Sequence, residues 1–286
     1  MHDIFFFTDI HGMYNLYNAI MVYCYKQDPE CTIIFGGDAC DRGPWGYQIM
    51  KELLDNKQVI YLKGNHEDMF VRATRQIKSS FDFKGAARET IESTLSSLVL
   101  NDDDGKYYDI INSIYNGGLS TLVDWITDGM PMSIVERIEN LPLTFSTDTC
   151  DFCHSAGVYR TFKRVADSEY DGYDLDGYYT EALIWGRSSL GYGWAPNRIA
   201  VFGHTPVPYL KDYVHITWDE KKIQPVKYRG EKDKMLFDPT MTGSKIDMDT
   251  GAVFTARAYV LNVLTMKAQG FKVENNEAKK IEVIQF

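Results

Sequence analysis

An α/β fold is predicted for this chain of 286 residues by three features. Short apolar runs alternate with helix-period segments through the first third of the chain, the order that builds a parallel sheet covered by helices on both faces. Each early apolar run ends in a cluster of glycine, aspartate, asparagine or histidine, and ligands bind at such strand ends. The third feature is composition. With 44% hydrophobic and 14% aromatic residues, the chain has the apolar surface to bury a core rather than stay disordered.

The elements follow in order. Residues 4–7, IFFF, form a short buried-strand run, and 13–25, MYNLYNAIMVYCY, carry Leu16, Ile20 and Tyr23 at helical spacing. Residues 31–37, CTIIFGG, predict a second strand, and Pro44 sits where prolines open helices, at the head of 44–56. Residues 58–64, QVIYLKG, predict a third strand, and 66–78 a third helix. From Phe81 to about Asn140 the pattern is helical and acidic, which predicts an inserted helical cap at about 81–140. Within it Asn101-Asp102-Asp103-Asp104-Gly105 reads as a loop tip and lacks the spacing and terminal Glu of a calcium-binding EF-hand. Strands return at 142–146, 150–154, 198–204, 245–249 and 253–263, with a long polar connection at about 211–243. The last fourteen residues read as a hairpin turning at Asn275-Asn276. No repeat or clear linker divides the chain, so a single domain over 1–286 is expected.

Charge narrows the function. The net charge is −10 and the sequence pI about 5.1, so a nucleic-acid partner is not expected. No run approaches the roughly 18 apolar residues of a membrane span. The opening MHDIFFFTDIHG lacks a basic n-region, and Asp3 and Asp9 interrupt it, unlike a signal peptide. A cytoplasmic protein without a membrane partner is expected, and there the five cysteines, Cys24, Cys31, Cys40, Cys150 and Cys153, would be free thiols.

The chemistry lies after the strands. The first ends in Thr8-Asp9-Ile10-His11-Gly12, the second in Gly36-Gly37-Asp38-Ala39-Cys40-Asp41-Arg42-Gly43 and the third in Gly64-Asn65-His66-Glu67. Strand ends of one polarity lie side by side, so Asp9, His11, Asp38 and Asn65 should converge. If the strand runs that far, Asp9 and His11, two apart, point to one side. Carboxylate, imidazole and amide oxygen together suit Mn, Fe or Zn better than Ca. Any one of these residues could be structural; three such clusters in order are what carry the reading. His154 and His204 also follow predicted strands.

His154 closes Cys150-Asp151-Phe152-Cys153-His154, which fits the C-x-x-C-H mark of c-type haem, a redox pair, or a histidine after two buried cysteines. In an extended strand Cys150 and Cys153 face opposite ways, which disfavours joint ligation. His154 is therefore read as a metal ligand and the haem-bearing electron carrier as the minor alternative. Cys40 is read as buried and inert, with oxidation beside the metals as the alternative. His2 and His215 are read as surface or structural, and Glu67 as a helix support. Trp185 is read as packing that positions Arg187. Residues 171–179, DGYDLDGYY, read as a solvated acidic loop, with a tyrosine-lined substrate rim as the alternative.

Taken together, TDIHG, GDACDRG, GNHE, HSAG, WGR and GHT resemble the ordered pattern of the calcineurin-like metallophosphoesterases. The resemblance is to the phosphoprotein phosphatase branch, especially its bacterial and bacteriophage serine/threonine phosphatases. Asn116-Gly117-Gly118 and the segment from Ile246 to Thr255 resemble further elements of the phage-type enzymes. Thr8, in place of the pattern's first glycine, departs in a turn and not in a ligand. The resemblance implies a two-layer β-sandwich flanked by helices and a site for two divalent metal ions, Mn²⁺ first, with Fe or Zn as alternatives. It implies that Asp9, His11 and Asp38 hold one ion, and that Asp38, Asn65, His154 and His204 hold the second. By the same resemblance His66 donates a proton to the leaving group, Asp41 orients His66, and Arg42, Arg187 and Asn65 face the phosphate. A guanidinium matches a phosphate bidentately, which suits arginine at 42 and 187. The implied activity is hydrolysis of phosphoserine and phosphothreonine in a phosphoprotein or phosphopeptide, by direct attack of a metal-bridging hydroxide. A diadenosine tetraphosphatase or another nucleotide phosphoesterase is the neighbouring reading, and the pair Asp41-Arg42 with Glu67 favours the protein phosphatase. A phosphate-binding scaffold without catalysis is the remaining one.

Overall fold

The computed structural model describes residues 2–102, 104–167, 178–187, 189–214, 223–230 and 240–286. The first three apolar runs form β1 (Ile4–Phe7), β2 (Thr32–Phe35) and β3 (Val59–Tyr61), which pair in parallel. Between and after them come α1 (Tyr14–Gln27), α2 (Gly46–Asp55) and α3 (Asn65–Ser80). The C-terminal strands β9 (Arg257–Asn262), β10 (Lys267–Glu274) and β11 (Glu277–Gln285) extend this sheet antiparallel, in the order β11-β10-β9-β1-β2-β3. Asn275 and Asn276, at φ 53° and 63°, make the tight turn between β10 and β11.

A second sheet has the order β4-β5-β6-β8-β7. Its strands are β4 (Thr144–Ser146), β5 (Cys150–Cys153), β6 (Ile199–Phe202), β7 (Val226–Tyr228) and β8 (Ser244–Asp247). The alternation of IFFF shows how the sheets stack. Phe5 and Phe7 face Leu16 and Ile20 of α1, and Phe6 faces Phe152, Val201 and Ile246 of the second sheet. On the far side of that sheet, Cys153, Ala200 and Phe202 pack with Phe162 of α8 (Tyr159–Ala166) and Leu183 of α9 (Tyr178–Ile184). The molecule is thus a two-layer β-sandwich with helices on its outer faces.

This corrects one expectation from periodicity. The parallel strands do not carry helices on both faces, because the second sheet takes the inner face and α1, α2 and α3 share the outer one. Residues 253–263 also differ from a continuous strand. Gly251 and Ala256 are left-handed (φ 68° and 54°) and bracket a one-turn helix, Ala252–Thr255, ahead of β9. Pro44 precedes α2 by two residues rather than opening it. Of four further helices, α5 (Tyr108–Tyr115), α6 (Leu119–Thr127) and α7 (Met132–Glu139) pack over α2 and α3, and α4 (Arg88–Asn101) packs on α5 and α6. Among the described residues no helix is long and apolar enough to cross a membrane.

Candidate active site

The loops leaving β1 and β2 are zipped by backbone hydrogen bonds. Asp9 N–H donates to Gly37 O (3.0 Å), His11 N–H to Asp38 O (3.0 Å) and Gly12 N–H to Ala39 O (2.8 Å). To make these turns, Asp9, His11, Asp38, Asp41, Arg42 and His204 all adopt positive φ, between 45° and 68°. Non-glycine residues avoid that region, and such strain concentrates at functional sites. Asp9 and His11 are therefore presented by a left-handed loop past the end of β1, not by the two-residue period of a strand. His154 follows β5 directly, and His204 follows β6 by two residues. Two glycines allow the close approach: a Cβ at Gly64 would lie 2.2 Å from Asp38 Oδ1, and one at Gly203 would lie 2.0 Å from Asp9 Oδ2.

Asp38 is the centre. Its Oδ2 stands 3.6 Å from His11 Nε2 and 3.8 Å from His66 Nε2, and its Oδ1 stands 3.3 Å from His154 Nε2. Asn65 Oδ1 lies 3.0 Å from His154 Nε2 and 2.9 Å from His204 Nδ1. Asp9 accepts the His204 N–H on both oxygens at 3.1 Å and the Thr8 hydroxyl at 2.6 Å. All of these side chains are buried. The structure thus groups His11, Asp38 and His66 on one side of Asp38, and His154 and His204 on the other. Asp9 flanks the second group and is tied to it through His204.

The imidazoles are presented for coordination. His11 Nδ1–H donates to Cys40 O and His154 Nδ1–H to Gly36 O, each at 2.8 Å, which turns both Nε2 atoms toward Asp38. Burial lowers His11 and His204 well below the usual histidine range, keeping them in the neutral form that binds metals. Burial also works against charge on His154, but the Asp38 carboxylate overrides it and lifts His154 to about 10. In turn, burial opposes ionisation of Asp38, yet His154 holds it well below the usual carboxylate range. Burial raises Asp9 to about 7 against the pull of His154. Asp247 and Asp249, at the end of β8, are buried beside it and are pushed well up by burial and by neighbouring carboxylates.

Divalent ions suit this donor set. Atoms each about 2.1 Å from one ion, at tetrahedral or octahedral angles, lie about 3.0–3.4 Å apart. The contacts of 2.9, 3.0 and 3.3 Å around Asn65, His154, His204 and Asp38 match that spacing. Buried carboxylates in such number also need positive charge to offset their desolvation.

Around these side chains lie groups whose chemistry suits a phosphate. His66 Nδ1–H donates to Asp41 Oδ2 at 2.7 Å, and Asp41 Oδ1 is buried without a hydrogen-bond partner among the described residues. Arg42 reaches in with Nη1 to His11 Nε2 (2.7 Å) and Nη2 to His66 Nε2 (2.9 Å). Its own N–H donates to Gly117 O at 2.9 Å, which gives Asn116-Gly117-Gly118 a role in holding it. Arg42, Arg187 and His204 line one cleft of about 670 Å³. Trp185 packs edge-on against His204, ring centres 5.9 Å apart.

Sequence reasoning undervalued Glu67. Its carboxylate accepts the N–H groups of Asp38, Ala39 and Gly64 and the Tyr61 hydroxyl, clamping the loop that carries Asp38. The alternation of strand residues did place the thiols. Cys150 lies in the core between the sheets and Cys153 on the opposite face, so they cannot share one haem. Cys40 is fully buried and burial pushes its thiol well up, as an inert cysteine requires. His2 pairs with Asp28 at the surface. His215 and residues 171–177 of the tyrosine-rich segment lie outside the described residues.

The sequence pattern of the calcineurin-like phosphoesterases matches residues 2–236. Among solved structures, a cold-active protein-tyrosine phosphatase of a psychrophilic Shewanella species aligns at TM-score 0.50 and 12% identity, over 99% of this chain and 81% of that one. A protein named provisionally as a diadenosine tetraphosphatase aligns at TM-score 0.47 and 14% identity, over 98% and 93%. A Saccharomyces cerevisiae protein serine/threonine phosphatase with similarity to human phosphatase PP5 aligns at TM-score 0.41 and 14% identity, over 100% and 80%. At these identities the likeness concerns fold and not substrate. No curated protein sequence matches the chain. With the family pattern running across most of its length, the chain belongs to the calcineurin-like phosphoesterases, a family of metal-dependent phosphoester hydrolases.

Proposed function

We propose that the protein is a phosphomonoesterase acting on phosphorylated protein side chains in the cytoplasm, phosphoserine and phosphothreonine within its range. One observation carries the reading: a buried carboxylate ringed by imidazoles adjoins, through His204, the cleft that two guanidiniums line. Asp9, His11 and Asp38 would hold one divalent ion, Mn²⁺ being the first candidate, and Asp38, Asn65, His154 and His204 a second. When bound, such ions neutralise phosphoryl charge and make water acidic enough to attack at neutral pH.

The protein's own groups do the rest. Arg42 and Arg187 grip the phosphoryl oxygens and stabilise charge that grows on them in the transition state. Asp41 holds the Nδ1–H of His66, which fixes the ring and aims Nε2 at the leaving oxygen. His66 then hands its Nε2 proton to that oxygen. Helices α4–α7 are proposed as an insertion that walls the site on the Arg42 side.

The test is hydrolysis of p-nitrophenyl phosphate by wild type and Asp38→Asn, after chelation and Mn²⁺ readdition. Activity restored by Mn²⁺ in wild type and absent in the variant is the expected result. No activity with any divalent metal would sink the reading.

A further inference from the structure

Exposed aromatic rings gather around the two arginines. Of the seven aromatic side chains strongly exposed among the described residues, four line the cleft of about 670 Å³ that holds Arg42 and Arg187: Tyr115, Tyr209, Tyr213 and Phe254. A fifth, Tyr178, lines an adjoining cleft of about 470 Å³, and Arg187 belongs to the wall of both. Exposed rings scattered singly need no explanation, but a cluster of this kind marks a binding surface.

The rings sit on the loops that also build the site. Tyr115 is two residues before Gly117, whose carbonyl holds the Arg42 N–H at 2.9 Å. Tyr209 lies on the 3-10 turn Val207–Asp212 that follows His204, with Tyr213 just beyond it. Phe254 lies on the one-turn helix Ala252–Thr255. Val207 N–H donates to Asp249 O at 2.8 Å, which ties these last two segments together. Charge in the cleft limits the ligand. Among its described lining residues, Arg42 and Arg187 face one carboxylate, Asp212. Two guanidiniums suit a single phosphate dianion, and Asp212 repels the further phosphates of a polyphosphate chain.

We propose that this aromatic wall is a subsite for a ring carried on the scissile phosphate, so that the protein takes phosphotyrosine side chains ahead of phosphoserine in the same peptide. The inference rests on the phosphomonoesterase reading above. In the reaction, the oxygen of water forms the new bond to phosphorus. The bond from phosphorus to the phenolic oxygen breaks, its electron pair leaving on that oxygen. His66 supplies the proton that completes the tyrosine hydroxyl, and the proton lost by water restores the imidazole over the cycle. The products are tyrosine and inorganic phosphate. Packing of substrate ring against protein ring strengthens binding about two- to tenfold.

The experiment compares wild type with Phe254→Ala and Tyr209→Ala in two ways. The first is the ratio of kcat/KM for a phosphotyrosyl peptide over its phosphoseryl counterpart. The second is the ratio of affinities for phenylphosphonate over methylphosphonate, followed by protein fluorescence. Phosphonates have no leaving group, so the second ratio is free of the better departure of a phenol. Both ratios should exceed one in wild type and fall about two- to tenfold in each variant. Hydrolysis with both ratios unmoved by the variants would overturn the subsite while leaving the hydrolase intact. Ring-dependent phosphonate binding without turnover of any monoester would uphold the subsite and sink the hydrolase. Turnover of diadenosine tetraphosphate ahead of both peptides, dependent on the same rings, would assign the wall to a nucleobase and overturn the proposal.

Discussion

Glu67 offers the sharpest test of how the site is held. Its side chain is fully buried, and each oxygen accepts two hydrogen bonds. Oε2 takes the N–H groups of Asp38 and Gly64, both at 2.8 Å. Oε1 takes the Ala39 N–H at 2.8 Å and the Tyr61 hydroxyl at 2.7 Å. Glutamine has the same shape but turns one oxygen into a donor. Its amide nitrogen fits best at the Oε1 position, where the Tyr61 hydroxyl can rotate and accept. Only the Ala39 N–H is then stranded, at a cost of about 1–3 kcal/mol. Alanine strands all three backbone N–H groups, which sums to about 3–9 kcal/mol. That is comparable to the whole net stability of an ordinary domain, about 5–15 kcal/mol.

Urea unfolding of the chelated protein at pH 7, followed by far-UV circular dichroism, measures both costs. The p-nitrophenyl phosphate assay follows the consequence for Asp38. Glu67→Gln should unfold earlier than wild type and lose kcat/KM, and Glu67→Ala should be far worse or fail to fold. A Glu67→Gln variant within about 0.5 kcal/mol of wild type would refute the clamp, because a stranded buried N–H cannot be that cheap. An alanine variant no less stable than glutamine would refute it too.

His66→Ala should lower kcat for an alkyl phosphate about 10²–10⁴-fold. The loss on p-nitrophenyl phosphate should be much smaller, because that leaving group departs without a proton, and equal losses would exclude His66 as the acid. Gly203→Ala places a methyl group where Asp9 Oδ2 stands, 2.0 Å from the new Cβ. Calorimetric Mn²⁺ binding should weaken strongly while far-UV circular dichroism is retained, and an unchanged affinity would remove Asp9 from the metal site.

Much of the site was legible because its chemistry is written in short stretches. A strand run followed by glycine and acid or histidine states both where the chain turns and what it presents there. That sufficed to bring Asp38, Asn65, His154 and His204 together, with His11 and His66 on the other side of Asp38. How the chain presents Asp9 and His11 was not legible. Periodicity supposes an extended chain, whereas both residues are left-handed past the end of β1. That conformation is imposed by hydrogen bonds to the loop after β2, which no local pattern contains. Glu67 was undervalued for the same reason, since its value lies in two amides of that other loop.

By itself, the sequence determined the alternation of strands and helices through the first eighty residues, the opposite facing of Cys150 and Cys153, and the residue types that can bind metal and phosphate; β7 (Val226–Tyr228), α8 and α9 were not read from it. The features it determined depend on backbone period and side-chain chemistry over a few residues. The tertiary structure alone decided that the parallel strands carry a second sheet on one face rather than more helices. It also decided that, among the described residues, five exposed rings line the two clefts that share Arg187. Both outcomes rest on contacts between distant parts of the chain, as when His154 binds the carbonyl of Gly36, 118 residues away, and the His204 amide binds Asp9, 195 residues away. Such contacts are selected by the packing free energy of the whole molecule, which no short window of sequence can hold.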